Sequence, residues 1–213
     1  MIKVENIETW GFEHAIRGMR NPLNSWSRSD SFFGYEAYSG EFVPDLKIGE
    51  NDLKLMRQLY VGGQPHRKYL RQIFVVMDIT APLYWWKEFD TYKVGTTANS
   101  CSTMHKIAAK EFSIEDFSDE HLETGWLACL DDTIIPLLNR ARTKFIATKD
   151  KRYWWQMIQL LPSSYNQRRT VSMTYENVMN MLDYREGHKL DEWREFCKIL
   201  KQLPYVEEIR DGR

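Results

Sequence analysis

Within ten residues the chain sets Thr96, Thr97, Asn99, Ser100, Ser102 and His105, in the run GTTANSCSTMH. Hydroxyls, an amide, backbone N–H groups and one titratable ring share a single short stretch. Such a set suits an anionic ligand such as a phosphate. Lys93 adds a cation just upstream. A hydroxyl near an imidazole is also the pairing of nucleophilic catalysis. No carboxylate stands at a spacing that would orient the ring, however, so a Ser–His hydrolase lacks its third member. The plain alternative is an ordinary loop after a buried aromatic helix.

Other candidates lie apart in sequence. His66 follows GGQP, where a turn would hold it at the surface or against a ligand. Arg168, Arg169 and Arg185 are able to grip phosphates or carboxylates bidentately, although surface arginine is the default. Asn180 lies among the apolar residues of YENVMNMLDY. A buried amide there needs partners, either protein groups or the edge of a planar heterocycle. Asp131-Asp132 and Glu207-Glu208 lack metal-ligand spacing and read as solvated faces.

The elements that must position these residues alternate strand and helix patterns. Residues 2–8 alternate as a first strand, and 10–20 carry Phe12, Ala15, Ile16 and Met19 on one helical stripe. Residues 21–48, rich in Ser, Gly, Pro and aromatics, read as a long loop. Asn51 or Asp52 caps a helix from Leu53 to Val61, stopped by Gly62-Gly63. Residues 71–79 read as a buried strand. Pro82 opens the aromatic helix LYWWKEF at a first-turn position. Ser118 is placed to cap a long helical region from Asp119 to about Thr148, bent or broken at Pro136. Further helices are expected over 151–161, 175–184 and 190–200, with a short strand over 168–173. The sum is a helix-rich α+β chain with a small central sheet, read as a single domain over 1–213.

Composition narrows the classes. The 213 residues are 43% hydrophobic and 28% charged, with a net charge of −1. There is no bulk basicity pointing to nucleic acid. No apolar run approaches a membrane span, and MIKVENIETW is too polar for a signal peptide. Three widely spaced cysteines form neither a metal pattern nor a disulfide framework, which points to a reducing cytoplasm.

The order of these features resembles the flavin-dependent thymidylate synthases. That family's signature reads Arg-His-Arg, two residues, Ser, one residue, Asn-Glu, one residue, Ser, one residue, Arg-Tyr. Laid on Tyr92–His105, it matches at Asn99 and Ser102, with Thr97 where the first Ser stands. Tyr92-Lys93-Val94 replaces Arg-His-Arg, Ser100 replaces Glu, and Met104-His105 replaces Arg-Tyr. His66 before a strand resembles the family's Gly-His pair. Arg17 in AIRGMR takes the place of an early arginine. Downstream, Leu161-Pro162, Asn180 and Arg185 keep the family's spacing, while Thr174 and Glu176 replace an Asn and an Arg. Ile158 stands where the family carries an arginine before that proline.

The resemblance covers roughly residues 10–195. It implies a homotetramer with active sites shared between subunits. It also implies binding of FAD, of the pyrimidine nucleotide dUMP, and of NADPH and a methylene-carrying folate. Reduced flavin passes a hydride to the uracil ring, and no protein nucleophile is needed. By this resemblance Ser102, Ser100 and Arg185 are substrate-binding residues, and His66, Lys93, Asn99 and Asn180 are cofactor-binding. The missing arginines at Met104 and Ile158 remove charge-assisted hydrogen bonds of about 1.5–3 kcal/mol each. The alternative is therefore a non-catalytic or altered-specificity nucleotide-binding homologue on the same scaffold.

Overall fold

The computed structural model describes residues 2–38 and 41–211. In chain order the elements begin with β1 (Lys3–Trp10), α1 (Phe12–Arg20), β2 (Phe32–Tyr38), β3 (Glu41–Lys47) and α2 (Glu50–Val61). Then come β4 (Phe74–Pro82), α3 (Leu83–Phe89), β5 (Thr96–Ser100) and α4 (Thr103–Lys106). The C-terminal half holds α5 (Thr124–Cys129), α6 (Ile135–Thr148), α7 (Lys151–Leu160), β6 (Asn166–Thr174), α8 (Tyr175–Arg185), α9 (Asp191–Lys201) and α10 (Val206–Arg210).

A four-stranded antiparallel sheet in the order β1-β4-β6-β5 carries the fold. Its central strands alternate as the pleat requires. Val75, Met77, Ile79 and Ala81 of β4, with Val171 and Met173 of β6, point into the core. Asp78, Arg168 and Thr170 face the other way, where Asp78 accepts hydrogen bonds from both the Arg168 guanidinium and the Thr170 hydroxyl. The core face is covered by α1, α2, α3, α8 and α9 in one apolar cluster. A smaller cluster, around Phe112, Phe117, Leu138 and Met157, lies beneath α6 and α7.

The helices over 12–20, 151–160, 175–185 and 191–201 fall within a residue or two of the expected spans. The stretch 21–48 does not match its expectation as a loop. It forms two short 3-10 turns, at Asn21–Leu23 and Trp26–Arg28, and then the β2–β3 hairpin. Its aromatic residues favour strands, and the Gly and Ser content hid that preference. The hairpin is held from far away in sequence. The Tyr205 hydroxyl accepts from the Ile48 N–H at 3.0 Å and donates to the Leu46 carbonyl at 3.1 Å. Residues 39 and 40 of the expected loop lie outside the described residues.

The start of α2 also differs. Gly49 is its N-cap, and the Asp30 carboxylate, reaching across from the preceding segment, accepts the N–H groups of Asn51 and Asp52. Asp52 is instead fully buried against Arg20, with Nε to Oδ1 at 2.5 Å. Its other oxygen accepts the hydroxyls of Ser29 and Ser31 and the N–H groups of Asp30 and Ser31. Burial pushes the Asp52 carboxyl up, but these hydroxyls, the guanidinium and the Asp30 amide together hold it below the ordinary range.

Ser118 does not cap the long helix. Its hydroxyl donates to Asn166, and the helix starts after Glu123. Where a bend or break was expected at Pro136, the helix carries a π turn, Leu130–Ile134, that ends two residues before the proline. Proline lacks an N–H and its ring crowds the preceding turn, and the wider π turn relieves both. The strand expected over 71–79 begins later, at Phe74, because Arg67–Gln72 winds as a 3-10 helix.

Candidate functional site

The aromatic helix α3 is the anchor from which the polar segment leaves. Pro82 ends β4 in extended conformation and serves as the N-cap, one residue ahead of the first-turn position expected for it. Trp85, Trp86 and Phe89 are buried. Trp85 lies 4.8 Å from the Trp193 ring and 5.4 Å from Phe196, so α3 and α9 share an aromatic core. Trp86 donates its indole N–H to the Gln167 carbonyl at 2.9 Å, tying the helix to β6. Among the described residues the indole N–H groups of Trp85 and Trp193 find no hydrogen-bond partner, a cost of about 1–3 kcal/mol each that the packing offsets.

After α3 the chain turns through Gly95, at φ +78°. A Cβ there would meet the Asn177 Oδ1 at 2.7 Å, so conformation and space both demand glycine. The polar run Thr96–Ser100 then pairs with β6 as an edge strand, β5, where a loop was expected. Asn177 fixes this join. It donates to the Val94 carbonyl at 2.7 Å and accepts from the Thr174 hydroxyl at 2.7 Å. Thr174 and Asn177 form a reciprocal capping box at the start of α8. The buried, fully partnered amide of this helix is thus Asn177, not Asn180. The signal was present in sequence as Thr-x-x-Asn ahead of an apolar helix.

The expected site residues fall into four places. Lys93 is exposed in the α3–β5 turn, beside Tyr92. Arg185 ends α8, with its Nε donating to the Tyr92 hydroxyl at 3.0 Å and its Nη1 3.1 Å from Glu88. Its guanidinium also lies 5.1 Å from the Trp193 ring. Tyr92 therefore brings Lys93 and Arg185 into one neighbourhood. Asn99 and Ser100 are exposed on β5, and Ser102 follows as the N-cap of α4, accepting the His105 N–H at 3.1 Å. His66 is exposed on a turn after α2, lining a cavity of about 460 Å³ with Gly18, Met19, Lys68 and Gln72. Asn180 is half-buried midway along α8, and its side-chain amide makes no hydrogen bond among the described residues. No hydrogen bond or ion pair among the described residues joins Ser102 to Asn180 or Arg185.

The two other candidate arginines, Arg168 and Arg169, are committed inside the chain. Arg168 bonds Asp78 at 2.7 Å, and Arg169 bonds Asp90 at 2.7 Å while stacking 4.1 Å from the Trp86 ring. At position 176 the charge is reversed relative to the resemblance. Glu176 is gripped bidentately by Arg71, at 2.5 and 3.0 Å, so a guanidinium still stands beside that position. Sequence reasoning gave Arg71 no role. Asp131 and Asp132 are solvent-exposed, as are Glu207 and Glu208. No cluster of three or more metal-ligating side chains occurs among the described residues. No helix among them is long and apolar enough to cross a membrane.

An antiparallel sheet edged by a polar strand, with α8 running from its capping box to a terminal arginine, has a counterpart among known structures. The chain has the fold of the flavin-dependent thymidylate synthases. One match is the crystal structure of the flavin-dependent thymidylate synthase ThyX from Helicobacter pylori complexed with FAD and dUMP. It has a TM-score of 0.68, covers 99% of each chain and is 17% identical. A second Helicobacter pylori ThyX structure with FAD and dUMP has a TM-score of 0.69, covers 100% of this chain and 99% of that one, and is also 17% identical. No protein-family profile matches the sequence, and no curated protein matches it.

Proposed function

We propose that this chain is a divergent flavin-dependent thymidylate synthase-like protein that binds a pyrimidine nucleotide, dUMP, and a flavin, FAD, at sites shared between protomers of a homotetramer. The observation that carries the reading is the fold match across 99% of the chain together with Asn180 and Arg185 kept at family spacing on α8.

The residues present fit the flavin in part. The Asn180 amide is half-buried and unpartnered, and so is suited to the edge of a flat heterocycle. Asn99 offers a second amide, and His66 opens on a cavity. Lys93 supplies one cation toward a pyrophosphate. A bound reduced flavin would supply the hydride, with NADPH and a methylene folate as co-substrates in the cytoplasm. The chain's own part is to bind and orient. Ser100 and Ser102 offer hydroxyls to the nucleotide, and Arg185, lying beside the Tyr92 and Trp193 rings, presents its remaining donors. The first test is the absorbance spectrum of the purified protein before and after addition of FAD and dUMP. A flavin spectrum that shifts with dUMP, and NADPH oxidation that depends on dUMP, support the proposal. A protein that retains no flavin absorbance once unbound FAD is removed, with or without dUMP, overturns it.

A second reading is a nucleotide-binding homologue without turnover. It is favoured by Met104 and Ile158 at the arginine positions and by the engagement of Arg168 and Arg169 with Asp78 and Asp90. It gives a thermal shift with dUMP but no dUMP-dependent NADPH oxidation. Measured turnover excludes it.

A further inference from the structure

We propose that the outer face of the α6–α7 helix pair is a two-fold interface between copies of this chain, with α6 of one protomer antiparallel to α6 of its partner. The inference builds on the multi-protomer assembly proposed above by naming one of its surfaces. The inner side of the pair is spent within the chain, where Leu138, Ala141 and Met157 are buried in the smaller apolar cluster. The outer side is not. A groove of about 510 Å³ lies between the two helices, lined by Leu137 of α6 and Leu160 of α7. Both leucines face solvent, 40% and 39% exposed.

The charges flanking Leu137 identify what covers it. Asp131 and Asp132 precede it, both exposed and without a side-chain hydrogen bond or ion pair among the described residues. Arg140 and Lys144 follow it, exposed and lining the groove, and neither meets a carboxylate among the described residues. Lys144 instead lies 5.3 Å over the Tyr153 ring. At the rise of a helix, the aspartates stand about 8–9 Å before Leu137 and Lys144 about 10 Å after it. A two-fold axis through Leu137 therefore sets the acidic end of one α6 against the basic end of the other, twice over, with the leucines between them. A parallel pairing would set like charge against like. An acidic helix from an unrelated protein would satisfy Arg140 and Lys144 but leave Asp131 and Asp132 unmatched. A second copy satisfies both ends and takes the leucines out of water.

The test is sedimentation velocity of the full chain and two charge-reversed variants over a range of concentrations. Asp131→Lys with Asp132→Lys makes the flanks of Leu137 wholly basic. Arg140→Glu with Lys144→Glu makes them wholly acidic. All four positions are exposed, so the substitutions leave the fold in place. Each variant alone is expected to fall to a smaller assembly, its association weakened at least about tenfold. An equimolar mixture of the two, in which opposite charges meet again, is expected to recover that association. A parent protein that sediments as a monomer, variants that assemble as the parent does, or a mixture that regains nothing each overturns the proposal. An assembly of other than four copies that still follows this charge pattern counts against the homotetramer alone, and flavin retention with dUMP reads the ligand proposal separately.

Discussion

Helix α3 and strand β5 are separated by a six-residue turn, yet they are built for opposite ends. The helix buries Trp85, Trp86 and Phe89 in an aromatic wall completed by Trp193 and Phe196. The strand exposes Thr97, Asn99 and Ser100 along the open edge of the sheet. One region is buried packing, and the other leaves its polar side chains in solvent. A residue's worth to stability and its worth to binding should therefore separate sharply across Gly95.

The largest effect is expected within the wall. Trp85→Ala empties a fully buried site and should lower unfolding stability by about 3–5 kcal/mol in a urea titration. A loss below about 1 kcal/mol would mean the wall is not what holds the fold.

Asp52 extends the contrast, being a fully buried charge held by Arg20 and two serine hydroxyls and not by apolar packing. Asp52→Ala strands Arg20 in the interior, with an expected cost of about 3–5 kcal/mol. Its carboxyl lies below the unfolded value of 3.8 in the native state. Its contribution is therefore fully present above that pH and fades as pH falls through the depressed native value. Acid titration of Asp52→Asn should accordingly show a shallower loss of stability over that range than the parent protein.

At the boundary, Gly95→Ala meets both a left-handed backbone and the Asn177 oxygen. A destabilisation of about 1–3 kcal/mol is expected, with weakened nucleotide binding because β5 shifts. On the strand itself, Asn99→Ala and Ser100→Ala should move stability by less than about 0.5 kcal/mol. Flavin retained after removal of unbound FAD, and the thermal shift with dUMP, should nevertheless fall for both.

The smallest effect is chemical. Cys197 lies in the wall, where burial pushes its thiol up to about 11. Cys101 and Cys129 are exposed. A colorimetric thiol reagent at neutral pH should titrate two groups in the native protein and the third only after denaturation.

Much of the frame was legible from local pattern. The helices over 175–185 and 191–201 announced themselves by the spacing of Val178, Met181 and Leu182 and of Trp193, Phe196 and Leu200. Gly62-Gly63 ended α2 as expected. The spacing of Asn99, Ser102, Asn180 and Arg185 pointed to the fold that the chain shares with ThyX. What failed depended on partners distant in the chain. Residues 32–38 and 41–47 became paired strands under the Tyr205 hydroxyl, and Asp52 became an internal counter-ion of Arg20 because Ser29 and Ser31 close over it. Thr96–Ser100 became a strand only because β6 presented an unpaired edge.

The sequence by itself determined the periodic faces, the breaks at glycine and the order of the aromatic, polar and amide-bearing stretches, because these depend on backbone preference and side-chain spacing along a few turns. Only the tertiary structure decided which charges are free. Arg168, Arg169 and Glu176 found counter-ions in other elements, Arg185 was held by Glu88, and Arg28 and Lys54 were left without one among the described residues. Pairing between charges is a matter of distance in space, and a linear spacing carries no record of it.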